Sequence, residues 1–385
     1  MIKFSRWTAF AVSGAVAASA AASAAATVVL AAPDARTAQP RSDRTRSSQD
    51  GFQEMLDDLV RTKAATAVLL RVRTAGGGEW SGAAGVSDVR TGRPADPSGY
   101  FRIGSVTKTF AATVLLQLVD EERLRLDDPV AEHLPGVVPD GERVTVRQVL
   151  QHTSLLRDYM SDPGWSTNRW RGARRFRGYK PDRLLAQAFR TPAQNPPDVT
   201  WKYSNTNYVV VGKLIERLTG RPYGEEVERR VLRPLRLTQT IVPGDRPGLP
   251  RPHAHGYALL PDGRTVDATR MNPSLDWAAG EMISTTRDLG RFLDGLLGGR
   301  LLSPSALAAM RAVRPTGAGF AYGLGLQEYA LPCGKRMVGH SGQLIGYTTY
   351  ALRSDDGRQM DLSVNLGSSP PSADELYAFA GKVFC

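Results

Sequence analysis

The sequence predicts an α/β protein of the α+β kind. Its mostly antiparallel sheet is formed by both termini and flanked by helices, and a mainly helical domain is inserted between the two halves. Two observations carry that reading. Strand-like runs sit at both ends: 67–73 (Ala-Val-Leu-Leu-Arg-Val-Arg) and 79–86 near the start, 348–353 and 359–366 near the finish. Between them, 145–235 has mostly helical spacing, broken by prolines at 192–197 and near Pro222 and Pro234. Strands at both ends with helices between them suggest a single sheet closed by the two chain ends. Of the 385 residues, 42% are hydrophobic and 23% charged, which supports a packed core and excludes wholesale disorder.

The elements follow in order. Residues 1–32 carry Lys3 and Arg6, no acid, an alanine-rich apolar run and small residues at its end, the parts of a secretory signal peptide. There is no twin arginine and no cysteine near the exit; an uncleaved membrane anchor is the alternative. Residues 33–50 are polar and read as a disordered leader. One large domain then spans 51–385, with a sheet part at about 51–98 and 270–385 and a helical part at about 99–269. Phe52, Met55, Leu56, Leu59 and Val60 have helical spacing over 52–62. Phe110, Val114, Leu115 and Leu118 share one face of a helix over about 107–122, which Asp127-Asp128-Pro129 stops. Ser284-Thr285-Thr286 caps an apolar helix containing Leu289 and Phe292, and a last helix covers about 373–383.

Composition narrows the chemistry. The charge of +11 is spread along the chain and suggests anionic surfaces or ligands without arguing nucleic acid. Two cysteines exclude a Cys₄ zinc site. In an exported chain, Cys333 and Cys385 are expected to pair, a bond worth about 4 kcal/mol in the chain-entropy model. His253 and His255 resemble a metal pair but have no third ligand at helpful spacing, so no metal is expected. His152 reads as structural. The tract 169–180 is basic and aromatic; it reads as a solvated loop, or as a cationic rim for an anionic cell-wall polymer.

One constellation carries chemistry. Ser105 and Lys108 lie three apart where a helix opens, so both side chains share a face. The chain has only eight lysines, and Ser105 is its only serine in a Ser-x-x-Lys arrangement. A serine hydroxyl needs a base, and a lysine amine serves once burial lowers its pKa. Tyr203-Ser204-Asn205 and His340-Ser341-Gly342 follow in that order.

Ser-x-x-Lys, Tyr-x-Asn and a cation-x-Gly triplet resemble the motif set of the serine β-lactamase and penicillin-binding superfamily. His340-Ser341-Gly342 with Tyr-Ser-Asn resembles its class C β-lactamase branch. Leu126–Val130, Leu134-Pro135-Gly136 and Val149–Ser154 look like that branch too, with Leu155 where glycine is usual. Tyr322-Gly323-Leu324-Gly325 and the ending Phe384-Cys385 look like secreted actinomycete D-alanyl-D-alanine carboxypeptidases. The resemblance covers about 52–385. It implies the β-lactamase/DD-peptidase fold and a secreted serine hydrolase that forms an acyl-enzyme on D-alanyl peptides or β-lactams, without a cofactor. Alternatives on the same residues are an esterase and a slowly deacylating penicillin-sensing module.

In this resemblance Ser105 is the nucleophile, Lys108 and Tyr203 share the proton relay, and His340 lies opposite Tyr203. Which of Lys108 and Tyr203 is the base stays open. Backbone N–H groups of Ser105 and Gln343 would form the oxyanion hole, and Asn205 would bind a substrate amide. Gly342 and Trp277 are expected among the substrate-binding residues. Gln327 and Gln343 stand where related carboxypeptidases have an arginine and a threonine that hold the substrate's free carboxylate. A neutral amide cannot make a charge-assisted bidentate bond, so carboxypeptidase specificity is weakened unless another cation, such as Arg336, replaces the arginine. The expected partner is a small-molecule or peptidoglycan-peptide substrate, with no nucleic acid, and the protein is expected to be a monomer.

Overall fold

The computed structural model describes residues 41–385 except 163, 166–171, 191–199 and 261–262. Residues 1–32, expected to be a signal peptide, residues 33–40 of the expected leader, the proline-rich break at 192–197 and the start of the basic tract lie outside the described residues. No helix among the described residues is long and apolar enough to cross a membrane.

Nine antiparallel strands form the central sheet. In chain order they are β1 (Ala65–Arg73), β2 (Glu79–Asp88), β3 (Arg93–Pro94), β4 (Arg314–Pro315), β5 (Ala321–Tyr322), β6 (Gln327–Ala330), β7 (Arg336–Leu344), β8 (Tyr347–Ser354) and β9 (Gln359–Leu366). Their order across the sheet is β3-β2-β1-β9-β8-β7-β6-β5-β4, so the two ends of the chain meet where β1 pairs with β9, Leu70 opposite Leu362. The expected architecture is present.

β1 is buried on both faces, which explains why its sequence is a continuous apolar run rather than an alternation. Val68, Leu70 and Val72 join Leu362 and Val364 in a core closed by two terminal helices, α1 (Arg41–Arg61) and α5 (Ala373–Phe384). Leu56 of α1 and Phe379, Val383 and Phe384 of α5 fill it. α5 opens with a capping box in which the Ser372 and Glu375 side chains each accept from the other's backbone N–H. The leader boundary needs correction: α1 begins at Arg41, so 41–50 are helical. Extending an existing helix costs less than nucleating one, and the packed turns from Phe52 onward supply the nucleus.

The other face of the sheet carries the larger core, built on α2 (Thr107–Asp120), α3 (Asn205–Thr219) and α4 (Thr286–Leu297). α2 is buried almost all round, and its Phe110 stacks on Phe292 of α4 at 3.6 Å. It ends at Asp120, before the expected Asp-Asp-Pro stop, because Glu122 turns the chain with φ +56°. Thr285 caps α4, accepting from the Asp288 N–H.

Two glycines let the layers touch at one point. A Cβ on Gly104, whose φ is +51°, would come within 2.7 Å of the Gln343 backbone. A Cβ on Gly342 would lie 2.0 Å from the Ile103 carbonyl oxygen. β7 therefore presses backbone to backbone on the turn that precedes α2.

Cys333 and Cys385 are disulfide-bonded across 52 residues. The bond ties the end of α5 to the turn between β6 and β7. Cys385→Ser should lower stability by about 2–5 kcal/mol, since the longer unfolded chain regains its entropy. Thermal unfolding checks this, and an unchanged midpoint would show that the bond does not secure the terminus.

Candidate active site

Ser105 sits in a single 3₁₀ turn, Gly104–Val106, which leads straight into α2. Its side chain is half-buried at the surface of the sheet–helix seam, and Lys108 lies one turn on, fully buried. The Lys108 Nζ is 3.0 Å from Ser105 Oγ, 2.8 Å from Asn205 Oδ1 and 2.6 Å from the Ala279 carbonyl oxygen. Burial is the largest influence on this amine and lowers its pKa to about 7. A neutral amine has two N–H groups and one lone pair. The N–H groups match Asn205 and Ala279, and the lone pair is left for the Ser105 proton.

The Tyr203 phenol donates to Ser105 Oγ at 2.8 Å. Burial pushes its pKa far above the ordinary value, so it stays protonated. Two groups therefore flank the nucleophile in complementary states, an amine able to accept a proton and a phenol able to donate one. Of the two groups left open as the base, Lys108 is the one whose state suits accepting a proton.

The Tyr203 turn is set from below by His152. Its Nδ1 accepts from the Ser204 N–H at 3.2 Å and lies 3.0 Å from Asn207 Nδ2. Its ring lies 4.3 Å from that of Tyr203, and burial holds it neutral, its pKa well below the ordinary value. The structural role expected of it is that of a support. It and Leu155 both have positive φ, +62° and +57°, so Leu155 occupies the left-handed conformation that glycine adopts without strain.

Asn205 opens α3, where Asn205 Nδ2 donates to Asp158 Oδ2 at 2.9 Å while Oδ1 accepts from Lys108. It thus links the catalytic amine to a carboxylate that sequence reasoning missed. Asp158 shows no motif, only its place six residues after His152. Its other oxygen accepts from the Met160 N–H, and burial raises its pKa.

Three expected residues have partners within the fold. The His340 Nδ1 donates to the Ser341 carbonyl at 2.5 Å, and Nε2 accepts from the Tyr322 hydroxyl at 3.0 Å. With both nitrogens engaged and burial lowering its pKa to about 3, it is a neutral brace on Tyr322, near enough to Lys108 to act on it electrostatically. Trp277 is not a substrate platform. Its indole packs edge-on against Tyr223 at 4.9 Å and fills the slot left by Gly212, in the turn that presents Ala279 to Lys108. Gln327 is buried, and its Oε1 accepts from the Ser341 N–H at 2.6 Å and the Tyr329 hydroxyl at 2.8 Å.

Gly342 does stand against the nucleophile turn: a Cβ there would lie 3.0 Å from Ser105 N. The backbone nitrogens of Ser105 and Gln343 border this contact, and the Gln343 side chain is exposed. Arg336 lies at the far end of β7, where it pairs with Glu328 at 3.1 Å, so it does not replace the missing arginine. His255 pairs with Asp267 at 2.8 Å.

Comparison with known proteins agrees with this geometry. A family model described as Beta-lactamase matches residues 52–380. The solved structure of a D-stereospecific amidohydrolase from Streptomyces sp. is 37% identical with a TM-score of 0.79, covering 88% of this chain and 98% of that one. The D-amino acid amidase of Ochrobactrum anthropi, in complex with L-phenylalanine, is 28% identical with a TM-score of 0.76, covering 87% and 96%. Penicillin-binding protein 4* of Bacillus subtilis is 30% identical over 290 residues, 71% of this chain and 62% of that protein. The chain thus spans less than two thirds of that relative's length.

Ser105→Ala should abolish covalent labelling by a fluorescent penicillin and leave the circular dichroism spectrum unchanged. Labelling that persists would mean a different nucleophile. Because Lys108 must be neutral to accept the serine proton, kcat/KM should fall about tenfold per pH unit below its pKa of about 7 and level off above it. A flat profile between roughly pH 5 and 9 would remove Lys108 as the base.

Proposed function

The chain belongs to the beta-lactamase family, and on that premise we propose that it is a secreted serine hydrolase of amides and esters of D-amino acids whose α-amino group is free. The observation that carries this reading is the charge near Ser105. Gln327 and Gln343 are neutral where a substrate carboxylate would need a cation, Gln327 is already committed to Ser341, and Arg336 is committed to Glu328. The Asp158 carboxylate, in contrast, is one hydrogen bond from Asn205 and two from Lys108. The residue keeps some exposure although its carboxyl is largely buried, and the N–H groups of Asn205 and Met160 do not fill its four lone-pair sites. Such a site favours a substrate ammonium over a substrate carboxylate. An ammonium group there also reverses the upward shift that burial imposes on Asp158.

The chemistry follows from the residue states. Ser105 Oγ attacks the carbonyl carbon while its proton passes to Lys108 Nζ. The backbone N–H groups of Ser105 and Gln343 receive the charge on the carbonyl oxygen. The Tyr203 hydroxyl gives its proton to the departing amine or alcohol and regains the one that Lys108 Nζ took from Ser105. Water then attacks the ester with the same groups in reverse, releasing the acid. β-Lactams offer the same serine a strained amide and are expected to acylate it. The names of the Streptomyces and Ochrobactrum proteins, a D-stereospecific amidohydrolase and a D-amino acid amidase, support the amide reading. The export signal read at 1–32 supports secretion.

D-Alaninamide should be turned over faster than a peptide ending in free D-Ala-D-Ala; the opposite ranking would overturn the reading. Asp158→Asn retains a cap for the Met160 N–H but removes the charge. It should raise KM for D-alaninamide roughly ten- to a hundredfold while leaving N-acetyl-D-alaninamide unaffected. Equal losses on both substrates would make Asp158 a positioning residue only.

A further inference from the structure

A second charged cavity, of about 170 Å³, opens where β1 and β9 meet α4. It lies on different strands from β7, which borders Ser105. Arg71 and Arg73 of β1 stand opposite Asp361 and Gln359 of β9, and Arg287 and Arg291 reach it from the first turns of α4. Gly290 lets the helix come down on this floor: a Cβ there would sit 2.8 Å from Asp361 Oδ2 and 3.1 Å from Gln359 Nε2.

The charges do not cancel. Arg71 pairs with Glu79, and Arg73 with Asp294, which also takes Arg353 at 3.2 Å. The Arg287 side chain has no ion pair or hydrogen bond among the described residues, and that of Arg291 bonds only the Arg236 carbonyl, at 3.4 Å. Asp361 does not neutralise them. It is 2% exposed, and burial pushes its carboxyl well above the ordinary range, which weakens it as a counter-charge. Its Oδ2 accepts from Gln359 at 3.0 Å, while Oδ1 is buried without a partner. A buried polar atom is seldom left unpaired, and this one belongs to a residue lining the cavity beneath two guanidinium groups that lack a carboxylate.

We propose that this cavity binds a phosphoryl group, either free phosphate or one unit of a phosphodiester chain. Guanidinium groups approach from both β1 and α4, which suits tetrahedral oxygens better than a planar carboxylate. Burial favours the neutral form of the Asp361 carboxyl, and in that form a small shift would let it donate to one of those oxygens, giving its orphan oxygen a partner.

The test is isothermal titration of the full chain with inorganic phosphate, with poly(glycerol phosphate) and with acetate, repeated on Arg287→Gln/Arg291→Gln. Both positions are exposed on a helix that tolerates glutamine, and neither belongs to the Ser105 site. Saturable binding of phosphate or of the polymer, weakened about tenfold or more in the double variant, is expected. Tighter binding of the polymer would identify the chain as the source of the phosphoryl group, and tighter binding of phosphate would identify the free ion. Absence of saturable binding to both, equal affinity in the variant, or acetate binding as tightly as phosphate would overturn the proposal. Unchanged turnover of D-alaninamide confirms that the variant is folded.

Discussion

The site depends on one constraint: the Lys108 amine is buried and is met by neutral acceptors. Its hydrogen-bond partners are a hydroxyl, a side-chain amide and a backbone carbonyl. A carboxylate in direct contact would hold the amine charged; the two acids that act on it electrostatically, Asp158 and Asp276, do so without a hydrogen bond to it. Burial raises Asp276 to about 7, and Glu281 further along the same turn to about 8. The acids nearest this amine, Asp158 among them, are thus held above their ordinary range. α2 makes the burial of Lys108 possible, because a helix buried on nearly every side carries its lysine out of water.

Around that amine, each element has a positioning task. The Trp277 turn packs against Gly212 of α3 and presents the Ala279 carbonyl. α3 begins at Asn205, so its first side chain points at Lys108, and His152 holds the turn before it. β7 meets the Ser105 turn through Gly104 and Gly342, a contact that side chains at either position would block. The disulfide at Cys333 fixes the chain just before β7 to the last helix. Sheet and helical region are thereby joined at the nucleophile itself.

Different residues were legible to different degrees. The sheet strands could be read because their apolar runs are long and their ends are marked by turns; β9 falls at 359–366, where its pattern places it. The Ser105–Lys108 pair could be read because lysine is scarce in this chain and a three-residue spacing fixes a shared helix face. The surroundings of Trp277 and His340 were not legible in the sequence, for a common reason. An indole or an imidazole fits a core as well as a cleft, and only the neighbours Gly212 and Tyr322 decide which. Asp158 carried no signal, since a single aspartate in a turn is ordinary until Asn205 is placed beside it.

The amino-acid order alone thus determined the sheet assembled from both chain ends, the nucleophile with its lysine, and the pairing of the two cysteines. These rest on local periodicity, on fixed spacing along a helix and on a count, which need no knowledge of the fold. Only the tertiary structure decided that the Lys108 amine is buried among neutral acceptors, that His340 braces Tyr322, that Gln327 is committed to Ser341, and that the Asp158 carboxyl stands near Ser105. Each is a matter of burial and of partners distant in sequence. A protonation state depends on how much water is removed, and a hydrogen bond depends on which segments the fold brings within about 3 Å.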